Sequence, residues 1–322
     1  MTAKQKVKVF DLQTEKDHLK SIIDTIVDQA SGIVLGKQHE IRLALACLFA
    51  RGHLLIEDLP GVGKTTLAHV LAAILGLKYN RIQFTSDLLP ADILGVSIFD
   101  RETGGFSFHP GPIFAQLILA DEVNRATPKA QSALLEAMEE QQVSIEGETR
   151  KLPTPFFVIA TQNPTDQIGT FPLPESQLDR FLMRIKLGYP DETAERALLT
   201  GCDRKDLISN LQASLTEDQL ATIQDAVSHV HASEDLLDYL QAMISHTRRS
   251  TDYVSGLSPR GGLALLRSAK AWALIQGRDH VLPEDIQTVT PHVVSHRIHL
   301  NHESGESNAN TIAEQLLAIP IP

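Results

Sequence analysis

One stretch restricts this chain more than any other: Glu57-Asp58-Leu59-Pro60-Gly61-Val62-Gly63-Lys64-Thr65-Thr66. Before it, His53-Leu54-Leu55-Ile56 is a short apolar run of the kind that forms a buried parallel strand. After it, Leu67 to Leu75 carries a helical pattern that Gly76 can end. Strand, glycine loop, Lys-Thr and helix, in that order, is the setting of a phosphate-binding loop. Gly61 and Gly63 lack a Cβ, so the backbone around Val62 can curl its N–H groups inward around an anion. The helix beginning near Thr65 and Thr66 presents unpaired N–H groups and the positive end of its dipole. Lys64 is placed to reach β- and γ-phosphates, and the Thr65 hydroxyl to ligate Mg²⁺. One residue departs from the strict pattern G-x-x-x-x-G-K-[ST]: Asp58 stands where its first glycine belongs.

At 322 residues the chain is long enough for two domains. Formal net charge is −11, which argues against a general nucleic-acid binder, since such proteins carry a basic face. The two cysteines, Cys47 and Cys202, have no metal-ligating neighbour at useful spacing; Cys47 reads as core and Cys202 as an ordinary thiol. A reducing, cytoplasmic setting fits that usage. The charged start, Met1 to Lys8, carries no apolar signal region. The longest apolar run, Leu43 to Ala50, is far short of the roughly 20 residues that a membrane span needs. The thirteen histidines are scattered and read as surface or helix-packing residues.

Along the chain, Leu19, Ile22, Ile23, Ile26 and Val27 fall at helical spacing, and a second helix is expected from Glu40 to Arg51. Between them, Val34 and Leu35 sit in a short apolar turn, placed either to pack on an adenine ring or to join the core. Further strands are expected at 80–85, 116–122, 155–161 and 181–187. A short helix is expected within 86–95, capped by Ser86 or Asp87. Two interruptions follow: a turn and extended segment at 104–112 carrying Phe106 and Phe108, and a hairpin at 142–152 turning at Gly147. The two phenylalanines share a strand face, as core or as an exposed contact. A helix is expected from Pro128 to Glu140. Composition shifts at Gly188 to Asp191, and helices are expected over 191–201, 216–231, 233–249, 260–277 and 283–297, then 311–318 after a polar, loose 301–310. The expected class is α/β: a five-stranded parallel sheet in residues 1–190, followed by an all-helical domain over 191–322.

The strand ending in Asp121-Glu122 is apolar through its length, and ligands of open α/β sheets sit at that C-terminal end. Asp121 suits a Mg²⁺ beside the phosphates; Glu122 suits activation of the attacking water. Ala160-Thr161-Gln162-Asn163-Pro164 ends the next strand, and the Asn163 amide can donate to phosphate and accept from water together. Arg180, in Leu178-Asp179-Arg180-Phe181, is a planar and permanently charged donor suited to a γ-phosphoryl group. Ser258-Pro259-Arg260 opens a helix, and an arginine there works against the dipole, which points to a partner such as phosphate.

Taken together, these stretches resemble the AAA+ ATPases, and among them the MoxR family, over about residues 20–322. The segment from Leu119 to Glu140 is the most specific; Ala160 to Pro164, Leu178 to Phe181 and Ser258 to Arg260 match in order. The resemblance implies an AAA+ P-loop core with a helical lid. It implies that Gly61, Gly63, Lys64 and Thr65 are Walker A, Asp121 and Glu122 Walker B, Asn163 sensor 1 and Arg260 sensor 2. Arg180 is implied as the arginine finger reaching a neighbouring subunit, with Arg184 as the alternative. The Phe106–Phe108 segment resembles a helix-2 insert, and 142–152 a pre-sensor-1 hairpin. The implied activity is ATP hydrolysis with Mg²⁺ in a homo-oligomeric ring, typically a hexamer, that remodels protein clients in chaperone-like fashion. Von Willebrand factor A domain proteins are implied partners. A magnesium-chelatase-like subunit, a nucleic-acid motor and a nucleotide-gated binding module with little turnover are the alternatives.

Overall fold

The computed structural model describes residues 18–102, 104–163, 170–201, 204–301 and 307–321. Cys202 and Pro164 fall outside them. Two compact units emerge: residues 51–212, and residues 1–50 together with 213–322.

The first unit is built on a five-stranded sheet. Its strands are β1 (Leu54–Glu57), β2 (Tyr79–Gln83), β5 (Leu117–Asp121), β8 (Phe157–Gln162) and β9 (Met183–Ile185). The order is β2-β5-β8-β1-β9, and every pairing is parallel. β5 and β8 are buried at every residue, which is why they read as continuous apolar runs and not as alternation. β2 lies at an edge and mixes exposed polar residues with buried Ile82. Helices α3 (Lys64–Ile74), α4 (Pro90–Leu94), α5 (Pro128–Glu140), α6 (Glu175–Leu178), α7 (Glu192–Thr200) and α8 (Arg204–Ser209) belong to the same unit. One core joins Leu55, Ile118, Val158 and Phe181 to Leu134 and Met138 of α5.

Two hairpins interrupt this pattern. β3 (Gly95–Asp100) pairs with β4 (Gly105–Pro110), and β6 (Gln142–Ile145) with β7 (Glu148–Lys151). The second turns on Glu146 and Gly147, both at positive φ, the geometry whose twist matches a two-residue hairpin loop. The first is pinched at its neck. A Cβ on Gly95 (φ +104°) would stand 2.3 Å from the His109 carbonyl oxygen. Phe106 is 76% exposed, whereas Phe108 is half-buried, with the Arg150 guanidinium 4.0 Å from its ring centroid. Phe106 thus meets the exposed alternative, while Phe108 stands edge-on to Phe114 at 5.8 Å between ring centroids without joining the core. The short helix α4 also differs from expectation. Its N-cap is Leu89, and the cap is supplied by Asp92, whose carboxylate accepts the Leu89 N–H at 2.9 Å, not by Ser86 or Asp87.

The second unit is helical: α1 (18–31), α2 (Gln38–Phe49), α9 (Glu217–His229), α10 (Glu234–Arg249), α11 (Pro259–Ile275), α12 (Pro283–Val294) and α13 (Ser307–Leu317). Its limits differ from a division at residue 190. The first two helices group with the C-terminal ones, and α7 and α8 with the sheet. The reason lies in α2, which is buried from Leu43 through Phe49 and packs on α9 and α11. Gln224 of α9 donates to the Leu48 carbonyl at 2.9 Å. α12 ends at Val294, three residues short of its expected end, and α13 begins at Ser307, inside the stretch expected to be loose.

Candidate functional site

Because all five strands run the same way, the C-terminal ends of β1, β5 and β8 lie side by side. The chain leaves β1 for the far edge, returns through β5 and β8, then places β9 on the other side of β1. The crevice of such a sheet opens where the connections diverge, here at the end of β1. The loop from Asp58 to Gly63 occupies that point. Gly61 and Gly63 have φ of +85° and +97°. Among the described residues, no atom beyond the adjacent residues comes within 4 Å of a Cβ built on either, so backbone angle alone calls for glycine. Gly63 is the N-cap of α3 and supplies no side-chain cap, which leaves the first N–H groups of the helix open to a ligand.

A cleft of about 300 Å³ lies in front of the loop. It is lined by Pro60, Gly61, Gly63, Lys64, Thr65, Thr66, Asp121, Glu122 and Asn163. Residues from three strand ends, far apart in sequence, therefore face one volume. Lys64 is buried; its Nζ donates to the Asp58 carbonyl and, at 3.2 Å, to Asn163 Oδ1. Asn163 Nδ2 in turn donates to Glu122 Oε1 at 3.0 Å. The chain Lys64–Asn163–Glu122 fixes which way the Asn163 amide points. Burial pushes the Lys64 ammonium below its ordinary pKa, against the pull of Asp58, Asp121 and Glu122.

The carboxylate pair is held by residues that the sequence pattern did not single out as site residues. Arg81 donates to Asp121 Oδ2 through Nη2 at 2.6 Å, and the Thr161 hydroxyl donates to Oδ1 at 2.6 Å. Thr161 Oγ1 also accepts the Glu122 N–H at 2.9 Å. Glu122 sits in the left-handed region (φ +56°), and its Oε2 accepts from Gln83 at 3.2 Å and Arg125 at 3.0 Å. Arg81 and Gln83 reach these groups because β2 pairs directly with β5, with Gln83 opposite Asp121. Alternating polar residues at the end of an edge strand were the available signal, but only the strand order says what they face.

The donor set fits a nucleotide that brings its own Mg²⁺. Thr65 and Asp121 offer hard oxygen atoms to one cleft beside Lys64 and the loop amides. Among the described residues no group of three or more His, Cys, Asp or Glu is arranged to hold a metal. Such a divalent ion takes one or two protein ligands and completes its shell with phosphate and water.

Arg180 does not line the cleft. It stands between α6 and β9, donates to the Leu135 carbonyl and pairs with Glu139 at 3.0 Å; its side chain is 29% exposed. Arg184 lies within β9 and pairs with Glu57 at 2.7 Å. Val34, which is buried, Leu35, and Arg260, exposed in the first turn of α11, belong to the helical unit. Among the described residues no helix is long and apolar enough to cross a membrane.

A parallel sheet in the order β2-β5-β8-β1-β9, a glycine loop opening onto α3 and a carboxylate pair ending β5 define a P-loop ATPase core of the AAA+ class. Residues 53–183 match the ATPase family associated with various cellular activities (AAA), and residues 245–316 match the AAA lid domain. The Bacillus subtilis (strain 168) protein YeaC is 41% identical over 310 residues, 95% of this chain and 97% of its own. Chaperone MoxR1 of Mycobacterium tuberculosis is 37% identical, over 88% of this chain and 77% of that protein. A crystal structure of a Cytophaga hutchinsonii chain superposes with a TM-score of 0.87 at 36% identity, covering 97% of this chain and 98% of that one. The chain belongs to the MoxR family of AAA+ ATPases.

Proposed function

We propose that this chain hydrolyses ATP in a ring of identical subunits, a hexamer, and uses the cycle to remodel protein clients in the cytoplasm. The observation that carries the reading is the hydrogen-bonded line Lys64–Asn163–Glu122 across the cleft. In this reading the amides of Gly61 to Thr66, Val62 included, and the Lys64 ammonium hold the β- and γ-phosphates. Bound Mg²⁺, taken by Thr65 and Asp121, supplies neutralisation of phosphate charge. Glu122 accepts a proton from the attacking water as the water–phosphorus bond forms and the bond from the γ-phosphorus to the ADP oxygen breaks. Asn163 orients both the water and Glu122, since its amide already joins the lysine to the carboxylate.

Three further roles extend beyond the cleft. Their place in the sequence assigns Val34 and Leu35 to the adenine ring, and the family resemblance assigns Arg260 to phosphate. Arg180 serves a neighbouring subunit's cleft, not its own. Its place in the connection to β9, an outer strand, supports that role. The net charge of −11 favours protein over nucleic acid as client, and the Mycobacterium tuberculosis relative carries the name chaperone. A von Willebrand factor A domain protein is the proposed companion.

Glu122→Gln tests the reading. The amide keeps the size of the side chain and loses the base, so ATP stays bound while phosphate release falls about 10²–10⁴-fold. The trapped ring should then retain clients and companion proteins through purification. Hydrolysis at the wild-type rate would remove Glu122 from its role.

A further inference from the structure

Asp58, the residue that breaks the strict loop pattern, is 8% exposed. Its Oδ1 accepts the N–H of Leu59 at 2.7 Å. Its Oδ2 accepts the N–H groups of both Leu187 and Gly188, each at 2.6 Å. An ionised carboxylate is acceptor-only and can serve three N–H donors together; an amide would turn an N–H of its own toward one of them. Leu187 and Gly188 lie just past β9, where the chain turns through Gly188 at φ +62°. A glycine at position 58 would leave that turn without its acceptor.

Asp58 also faces the cleft through its backbone. Among the described residues its carbonyl is one of two acceptors of Lys64 Nζ, the other being Asn163. A phosphate that draws Lys64 toward itself therefore takes a hydrogen bond from the residue whose side chain holds the Leu187–Gly188 turn. The same two strands are stapled again by the Glu57–Arg184 ion pair, so the rear of the loop is fixed to the β9 side.

We propose that Asp58 is a positioning residue: its carboxylate ties the phosphate-binding loop to the Leu187–Gly188 turn, so that occupancy of the loop and the path of the chain leaving the sheet change together. The inference rests on the nucleotide reading of the loop given above. It makes the departure from the strict motif a working part of this chain. Restoring the motif should then harm the site.

The test compares the full-length wild type with Asp58→Gly, which recreates the strict pattern, and Asp58→Asn, which keeps the volume. Amide hydrogen exchange is followed at Leu187 and Gly188, with affinity for a fluorescent ATP analogue in Mg²⁺ measured in parallel. Without nucleotide, both amides should exchange slowly in the wild type and at least about tenfold faster in either variant, the loss of a charge-assisted bond. Affinity should weaken about tenfold in Asp58→Gly, and the analogue should alter exchange at these two amides in the wild type only. Unchanged or tighter binding by Asp58→Gly, with its two amides released, overturns the coupling. Amides that stay protected in both variants overturn the anchor itself. Should the variants fail to fold, the wild type still decides: exchange at Leu187 and Gly188 that ignores the analogue, while the analogue binds, refutes the proposal. A wild type that binds no analogue, yet shows release of the two amides in the variants, refutes the nucleotide reading and leaves the anchor standing.

Discussion

Protonation of His53 should weaken the α/β unit in mildly acid solution. His53 stands one residue before β1 and is buried. Its Nδ1 accepts the Val158 N–H at 3.0 Å, so Nε2 carries the proton and donates to the Met138 carbonyl at 3.2 Å. Only that neutral tautomer satisfies β8 and α5 together. Burial lowers the pKa from 6.5 to about 4, against a smaller upward pull from the Met138 hydrogen bond. Between those values the unfolded chain binds a proton that the folded chain refuses. Stability therefore rises with pH across the window, is fully present above about 6.5, and is lost as pH falls toward 4. The loss works out to about 2 kcal/mol at pH 5 and about 3 kcal/mol at pH 4, at ~1.4 kcal/mol per pKa unit. His53→Asn removes this contribution while keeping an acceptor near the Val158 N–H. The assay is denaturant-dependent hydrogen exchange of β8 amides, which reports on this unit alone. The variant should be less stable than wild type at pH 7, and the gap should narrow by about 2 kcal/mol at pH 5. A gap that stays constant between the two pH values, or an imidazole signal titrating near its ordinary pKa in the folded protein, would refute the reasoning.

Lys64→Ala should abolish binding of a fluorescent ATP analogue, because it removes the charge proposed to meet the β- and γ-phosphates; retained affinity would sink the phosphate assignment. Arg180→Ala subunits mixed with Lys64→Ala subunits should regain hydrolysis that neither has alone, since one supplies an intact cleft and the other the proposed finger, a role worth about 10³–10⁵ in turnover in related chemistry. A mixture that assembles but stays inactive would turn attention to Arg184. Gly95→Ala should loosen the β3–β4 hairpin at its neck, where the new Cβ collides with the His109 carbonyl. Faster exchange at the Val96 and Ile98 amides with an unchanged β8 is the expected readout, and unchanged protection at those amides would count against a pinched neck.

Much of the site is legible in the sequence. A glycine loop between an apolar run and a helix, and carboxylates or an asparagine at the ends of later apolar runs, are local signals. Local backbone chemistry produces them: glycine at positive φ, strands buried on both faces, a free helix N-terminus. The five strands and the helix α5 were legible for the same reason. Where local signals are ambiguous, sequence and structure part. Ser86 and Asp87 are good capping residues, yet α4 starts later, at Pro90, because Asp92 reaches back to Leu89. Helix α8 leaves no signal in the sequence, being a six-residue element with little periodicity.

By itself, then, the sequence determined the class of fold, the family and the residues that gather at the cleft. Only the tertiary structure decided their neighbours. Strand order is a non-local property, and it alone sets Arg81 and Gln83 of β2 against Asp121 and Glu122 of β5. The same holds for His53, one of thirteen histidines in the chain, whose neutral form is imposed by backbone groups of Met138 and Val158 far along the chain. It holds for α2, which joins the C-terminal helices because its buried face packs on α9 and α11. It holds most plainly for Asp58. In sequence it is a blemish in a phosphate loop; in the fold its carboxylate meets two N–H groups from beyond β9, because β1 and β9 lie side by side.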